Sequence, residues 1–291
     1  MSEALPPAGA PHPRSVAPAS TAQALAAAPL ELAANLDWLY GALPLPERFA
    51  AAAADGFRAV EVLLPYEREP AWYAAALRDH GLQLVLHNTP IRKDSPGRLG
   101  WAAIPGAQAE FEQAFAQARA VAEATGSRRI HVMAGHCEGH DAAACQQTLR
   151  QNLRHALAAA GTDGLTLTLE ALNRADMPGY LYHRPAQVID ILREFDHPRL
   201  RLQFDYYHCA KEGQDLSAEL ALAGDWIGHV QIAGAPDRYE PDLARDGLLQ
   251  AVRDLPSTGY QSWLGCEYRP RGTPAEGLAW CAPLRAEGVL Q

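Results

Sequence analysis

The sequence predicts a single (β/α)8 barrel, and three observations predict it. From Leu30 onward, short runs rich in Leu and β-branched residues alternate eight times with Ala-rich amphipathic stretches. Such alternation means parallel strands joined by helical crossovers. Glycine closes one stretch after another just before the next strand, at Gly56, Gly81, Gly126, Gly161 and Gly259, where a helix end calls for a left-handed residue. Finally, no GxGxxG follows the first strand, which leaves an open dinucleotide-binding sheet without its phosphate loop. An open doubly wound sheet could also hold eight strands, and a closed barrel is preferred.

The strands are expected at 30–35, 59–65, 83–88, 129–134, 165–172, 200–206, 227–233 and 263–268. Helices are expected at 46–54, 70–80, 107–125, 141–160, 185–195, 216–223 and 245–255, with a last one after Pro274. The longest strand-to-helix connection, 88–106, follows the third strand. It therefore lies on the face where barrel enzymes carry their chemistry, either covering substrate or as a surface excursion. Residues 1–28 are rich in Ala, Pro and Ser without an amphipathic period, and read as a mobile leader before a barrel domain at 29–291.

Composition narrows the function classes. The chain has 291 residues, 48% of them apolar, and a net charge of −9. That length suits one barrel with a large core. The acidic balance argues against nucleic acid and anionic membrane as partners. A small anionic substrate would need local positive charge. No apolar run reaches the ~18–20 residues of a membrane span, and the N-terminus lacks the charged-then-apolar pattern of a secretory signal. Five cysteines without a CxxC pair suit reduced thiols and a cytoplasmic location.

The candidate chemistry sits at the ends of the last four strands: Glu170 in LTLTLEALN, Asp205 in LRLQFDYYH, Gln231 in IGHVQIAG and Glu267 in WLGCEYRP. Side chains of a strand alternate between faces. Leu165, Leu167 and Leu169 oppose Glu170, while Thr166 and Thr168 share its face. Leu202 and Phe204 oppose Asp205, Val230 and Ile232 oppose Gln231, and Leu264 and Cys266 oppose Glu267. The apolar sets belong against the helices, so the four polar residues face the barrel axis. Taken singly, an acid at a strand end is a helix cap or ion-pair partner; four on consecutive strands converge. Three carboxylates brought together repel unless a cation joins them. Three carboxylates and a carboxamide suit Mg²⁺ or Mn²⁺ better than Zn²⁺. His87 and Asn88 end the third strand, and Glu61 lies in the second. These are expected to line the pocket, with His87 as a substrate contact. His131 and His136 are expected to be structural, and Arg92 and Lys93 to be solvated charges of the long loop.

The segments LAANLDWLY (32–40), LPERFAAAAADGFRAVEVLLPYE (45–67), LEALNRADMPGYLYH (169–183), FDYYH (204–208), IGHVQIAGAPDRYEP (227–241) and GYQSWLGCEYRPRGT (259–273) resemble the hydroxypyruvate isomerase family. This family lies within the xylose-isomerase-like barrels and includes the 2-oxo-tetronate isomerases. The resemblance spans about 30–280. It implies that Glu170, Asp205, Gln231 and Glu267 hold one divalent ion, with Glu170 and Glu267 also the acid/base pair. It implies substrate contacts from His208 and Arg238. Related sugar epimerases carry His where this chain has Gln231, which favours the isomerase branch. The chain departs from the family at YEPDLARDG (239–247), where a Gly-rich stretch is usual, and that loop bears on substrate choice and on the contacts of a possible homo-dimer or tetramer.

The reaction so implied interconverts hydroxypyruvate and tartronate semialdehyde through an enediolate, with Glu267 as the abstracting base and Glu170 as its partner; the residues alone do not order the two. His208 polarises an oxygen or relays a proton, and Arg238 pairs with the substrate carboxylate. A 2-oxo-tetronate isomerase or a ketose epimerase is the alternative. An apurinic-site nuclease lacks its His-rich metal positions and basic face here. A non-catalytic sugar-acid binder would show a degenerate ligand set.

Overall fold

A computed structural model describes residues 28–92, 98–161 and 164–291. The leader, apart from residue 28, and Lys93 lie outside the described residues. Eight strands form a closed parallel barrel in sequence order: β1 (Glu31–Asn35), β2 (Ala59–Glu61), β3 (Gln83–Asn88), β4 (Arg129–His131), β5 (Thr166–Glu170), β6 (Leu200–Asp205), β7 (Ile227–Ile232) and β8 (Trp263–Cys266). The strand β8 closes on β1, with Leu32 beside Leu264. The outer layer holds α2 (Leu45–Ala54), α3 (Pro70–Asp79), α4 (Gln108–Thr125), α5 (Ala142–Ala159), α6 (Pro185–Phe195), α8 (Leu216–Ala223), α9 (Leu248–Asp254) and α10 (Cys281–Ala286). No helix among the described residues is long and apolar enough to cross a membrane.

Every expected element is present, and the differences are local. The glycines at 56, 81, 126, 161 and 259 all have positive φ, between 61° and 90°. The expected helix at 245–255 begins only at Leu248, and its end tightens into a 3-10 turn, Leu255–Thr258. Two short helices were not expected, α1 (Leu36–Leu39) and α7 (Tyr206–Lys211). Each is started by the polar side chain that ends the strand before it. Asn35 accepts from the backbone N–H of Asp37, and Asp205 from that of Tyr207. This is N-capping, which satisfies donors the first helical turn leaves open.

The core lies between strands and helices. Leu167, Leu169, Leu202, Phe204, Val230 and Leu264 are buried there, each stabilising by roughly 1.5–3 kcal/mol relative to exposure. Inside the barrel the apolar cluster is small, Ala33, Ala59 and Val85 with Trp263 packed against it. Barrels of this class usually fill the interior with branched apolar side chains. Here Asn35, Glu61, His131, Thr168, Gln203, His229 and Gln231 are buried instead.

The second half of the long connection packs down. Gly100 bridges to Ala134, and Ala103 donates to the Ala134 carbonyl at 2.6 Å. Gly100 has φ +107°, and a Cβ there would collide with the Met133 backbone, so only glycine allows this approach. Ala102, Ala103 and Ile104 are buried, which makes this half a fixed wall of the barrel mouth.

Candidate active site

Strand β5 presents Glu170 and Thr168 to the interior, and β6 presents Gln203 and Asp205. Thr168 Oγ1 donates to Gln203 Oε1 at 2.9 Å. Gln203 Nε2 donates to Glu170 Oε2 at 3.0 Å and to Gln231 Oε1 at 2.6 Å. Gln231 Nε2 in turn donates to Glu61 Oε2 at 2.8 Å. Glu61 also accepts from Asn35 Nδ2 at 3.0 Å and faces His229 Nε2 at 2.5 Å. Because a carboxylate only accepts, Glu61 fixes which way the Gln231 amide points. Gly265 makes room for this, since a Cβ there would collide with Glu61 Oε1. Sequence reasoning passed over Gln203, though it lies two residues before Asp205 and so on the same face.

Glu267 follows β8 directly, and its N–H continues the ladder to the Ile232 carbonyl at 3.1 Å. Its Oε1 meets Arg238 Nη2 at 2.8 Å, and Asp205 Oδ2 meets the same nitrogen at 3.2 Å. Asp205 thus caps α7 with Oδ1 and turns Oδ2 to the site, serving both roles that the sequence posed as alternatives. The guanidinium of Arg238 lies between the Trp38 and Tyr207 rings, 4.6 Å from each centroid. Its backbone holds a positive φ of 57°, a costly conformation that clusters at functional sites.

His208, on α7, has its tautomer set by its neighbours. Its Nδ1 receives the backbone N–H of Asn173 at 3.0 Å and lies 2.7 Å from Asn173 Nδ2. The Asn173 amide is itself oriented, since it donates to Asp176 Oδ2 and accepts from the Asp176 N–H. A backbone N–H only donates, so Nδ1 is the acceptor. Burial, then Arg238, pushes the ring toward its neutral form, which leaves the single proton on Nε2. That atom stands 3.2 Å from Arg238 Nη1, 3.6 Å from Asp205 Oδ2 and 3.9 Å from Glu170 Oε1. Two donors therefore face each other, His208 Nε2–H and Arg238 Nη1–H, and an anionic oxygen would answer both.

Burial raises the Glu170 carboxyl well above the usual range, helped by Asp205 and Glu267. It raises Asp205 against the opposing pull of Arg238. It pushes Glu267 up to about 8, also against Arg238. Arg238 itself is held protonated by Glu267, Asp205 and Glu170 despite its burial. His131 supplies no charge, since burial and then His229 lower it to about 3. Asp205 and Glu267 thus share one guanidinium, with Glu170 close enough to feel its charge, and among the described residues Glu170 Oε1 has no hydrogen-bond partner. A hard divalent cation fits this donor set. Glu170, Asp205 and His208 place ligand-type atoms within 4.8 Å of one another. His208 is the misfit of that trio, because a cation on Nε2 would require a proton on Nδ1, where the Asn173 N–H already points.

His87 does not belong to this group, and the expectation that it lines the pocket is corrected. Its Nδ1 meets Ser127 Oγ at 3.2 Å and its Nε2 the Ala118 carbonyl of α4 at 3.0 Å. The cause is a bulge: Val60 pairs with Leu84 but Glu61 with Leu86. The extra residue, Val85, reverses the alternation beyond it and turns His87 to the helices. His136 pairs with Glu138 at 3.1 Å, away from the carboxylates. A cavity of about 810 Å³ shares Trp38 with the site and has Tyr40, Arg269 and Thr273 in its wall.

Comparison with known proteins agrees with this fold. The family model for the xylose isomerase-like TIM barrel matches residues 49–284. The 2-oxo-tetronate isomerase of Cupriavidus necator is 41% identical over 252 residues, 86% of this chain and 97% of the relative. The hydroxypyruvate isomerase of Escherichia coli is 32% identical over 257 residues, 88% of this chain and 100% of the relative. A crystal structure from Brucella melitensis described as an AP endonuclease, family 2, superposes with a TM-score of 0.80 at 36% identity, covering 88% of this chain and 98% of that one.

Proposed function

The chain belongs to the xylose isomerase-like TIM-barrel family, as an isomerase of its hydroxypyruvate isomerase group, and from that premise we propose a metal-dependent 1,2 carbonyl shift on a small hydroxy-oxo acid, with hydroxypyruvate and tartronate semialdehyde as the pair. One observation carries this reading: the buried carboxylates of Asp205 and Glu267 share one guanidinium near Glu170, beside two donors that face each other.

The substrate carboxylate accepts from Arg238 Nη1 and His208 Nε2, which sets the molecule's orientation before any chemistry. One of Glu267 and Glu170 removes a proton from the CH₂OH carbon. The other delivers a proton to the former ketone carbon, and the hydroxyl proton passes from the terminal oxygen to its neighbour. One C–H bond breaks and one forms, so no outside oxidant is needed. Burial pushes Glu267 up to about 8 without the ion, and the ion would draw it back toward the carboxylate that an abstracting base needs. A divalent ion held by Glu170, Asp205, Gln231 and Glu267 would supply charge stabilisation for the enediolate. The network of Gln203 and Glu61 keeps the carboxamide oxygen of Gln231 and Glu170 Oε2 around one amide nitrogen.

The alternative substrate is a 2-oxo-tetronate, one carbon longer, as the name of the Cupriavidus necator relative states for that protein. A nuclease reading has less support, because the net charge is −9 and the carboxylates are buried. The test is isomerisation of hydroxypyruvate and of 2-oxo-tetronates by the native, chelator-stripped and Glu267→Gln proteins. We expect loss of activity on stripping, recovery with Mg²⁺ or Mn²⁺, and at least a thousandfold loss in the variant, of the order seen when a group acting in the transition state is removed. Full activity in the stripped protein rejects the mechanism. Turnover of a 2-oxo-tetronate but not of hydroxypyruvate selects the alternative.

A further inference from the structure

We propose that Arg238 and the divalent ion compete for the same carboxylate oxygens, and that the substrate's anionic group, by engaging the guanidinium, couples its own binding to that of the ion. The inference rests on the metal-dependent reading above and concerns what Arg238 does to it.

Arg238 Nη2 spends its hydrogen bonds on Asp205 Oδ2, at 3.2 Å, and Glu267 Oε1, at 2.8 Å. Both oxygens are in the proposed ion-binding set. An ion coordinated at roughly 2.0–2.2 Å by these oxygens would stand close to a second positive centre in a buried site, where like charges repel strongly. The guanidinium is clamped between Trp38 and Tyr207, so its freedom lies within its own plane. Its Nε donates to the Glu267 carbonyl at 3.2 Å. Among the described residues the Nη1 edge has no acceptor, because the atom it meets, His208 Nε2, carries a proton. An anion there takes hydrogen bonds from both donors and competes with Asp205 and Glu267 for the guanidinium. Whatever weakens the hold of Arg238 on those oxygens strengthens their hold on the ion, and by linkage the ion strengthens anion binding equally.

The experiment titrates chelator-stripped full-length protein with Mn²⁺, reading free Mn²⁺ by electron paramagnetic resonance, with and without glycolate as the anion. Arg238→Gln should bind Mn²⁺ roughly ten- to hundredfold more tightly than wild type, the worth of charged hydrogen bonds released. Arg269→Gln removes an exposed cation 5.0 Å from the Trp38 ring and should change the Kd less than about threefold, since exposed charges are screened. Glycolate should tighten Mn²⁺ binding in wild type and do so less in Arg238→Gln. Equal or weaker binding by folded Arg238→Gln overturns the proposal, as does equal tightening by glycolate in both proteins. If the variant does not fold, a crystal structure of wild type with Mn²⁺ decides. Arg238 Nη2 should then be out of hydrogen-bond reach of both carboxylates, and persistence of both contacts overturns the idea. Absence of Mn²⁺ binding by wild type would instead reject the metal-dependent reading, and this inference with it.

Discussion

Glu267→Gln probes the electrostatics of the mouth without changing its shape. Burial lifts the Glu267 carboxyl to about 8 from an ordinary 4.5. Between those values the folded protein keeps a proton that the unfolded chain has released. The native state then binds more protons than the unfolded one, so unfolding free energy falls as pH rises, by about 1.4 kcal/mol per pH unit for one group. From pH 5.5 to 7.5 this one carboxyl costs ion-free wild type on the order of 2–3 kcal/mol by that slope. Glutamine has the same shape and no proton to release, so the variant escapes this loss. Glu170 is raised by the same burial and adds its own slope to both proteins, which is why the difference between them is the quantity to read. Urea unfolding in EDTA at several pH values across that range gives it directly. Mn²⁺ at saturation should flatten the slope in wild type, because the ion holds the folded carboxyl deprotonated where the unfolded chain is deprotonated too, and should stabilise the variant less. Parallel pH slopes for wild type and variant in EDTA would refute this account of the buried carboxylates.

Two further substitutions examine the supports of the site. Gly265→Ala puts a methyl group against Glu61 Oε1; we expect about 1–3 kcal/mol of lost stability from overpacking, seen as a lower thermal midpoint, and an unchanged midpoint would deny that Glu61 fills this space. Asn173→Leu removes the side-chain donor from His208 Nδ1 while leaving the backbone N–H; we expect kcat/KM to fall about tenfold, roughly one hydrogen bond's worth, with Mn²⁺ affinity unmoved, and a loss of Mn²⁺ affinity would make His208 a ligand after all.

The elements were legible because their signals are local. The helix α6 starts and ends where the sequence places it, at Pro185 and Phe195, since Pro fits the first turn and the apolar stripe runs unbroken. The short helices α1 and α7 were missed because one turn is too short to show a period. Of their caps, Asn35 reads in the sequence only as a strand end, and Asp205 as a cap or ion-pair partner with no helix assigned to it. Alternation in β5 to β8 places Glu170, Asp205, Gln231 and Glu267 on the axial face, and the fold gathers them at one mouth. The same rule fails in β3, where Val85 adds one residue and sends His87 to the helices.

By itself, then, the sequence determined the order of strands and helices, the closing glycines and which residues of the last four strands point inward. These follow from periodicity and backbone preference, which act over a few residues. The tertiary structure decided the proton position on His208, the orientation of the Gln231 amide and the sharing of Arg238 between two carboxylates. Each depends on a partner far away in the chain: Asn173 is 35 residues from His208, and Glu61 is 170 from Gln231. A hydrogen bond or a charge acts through space, over a few ångströms, and only the closed barrel brings those partners within that range.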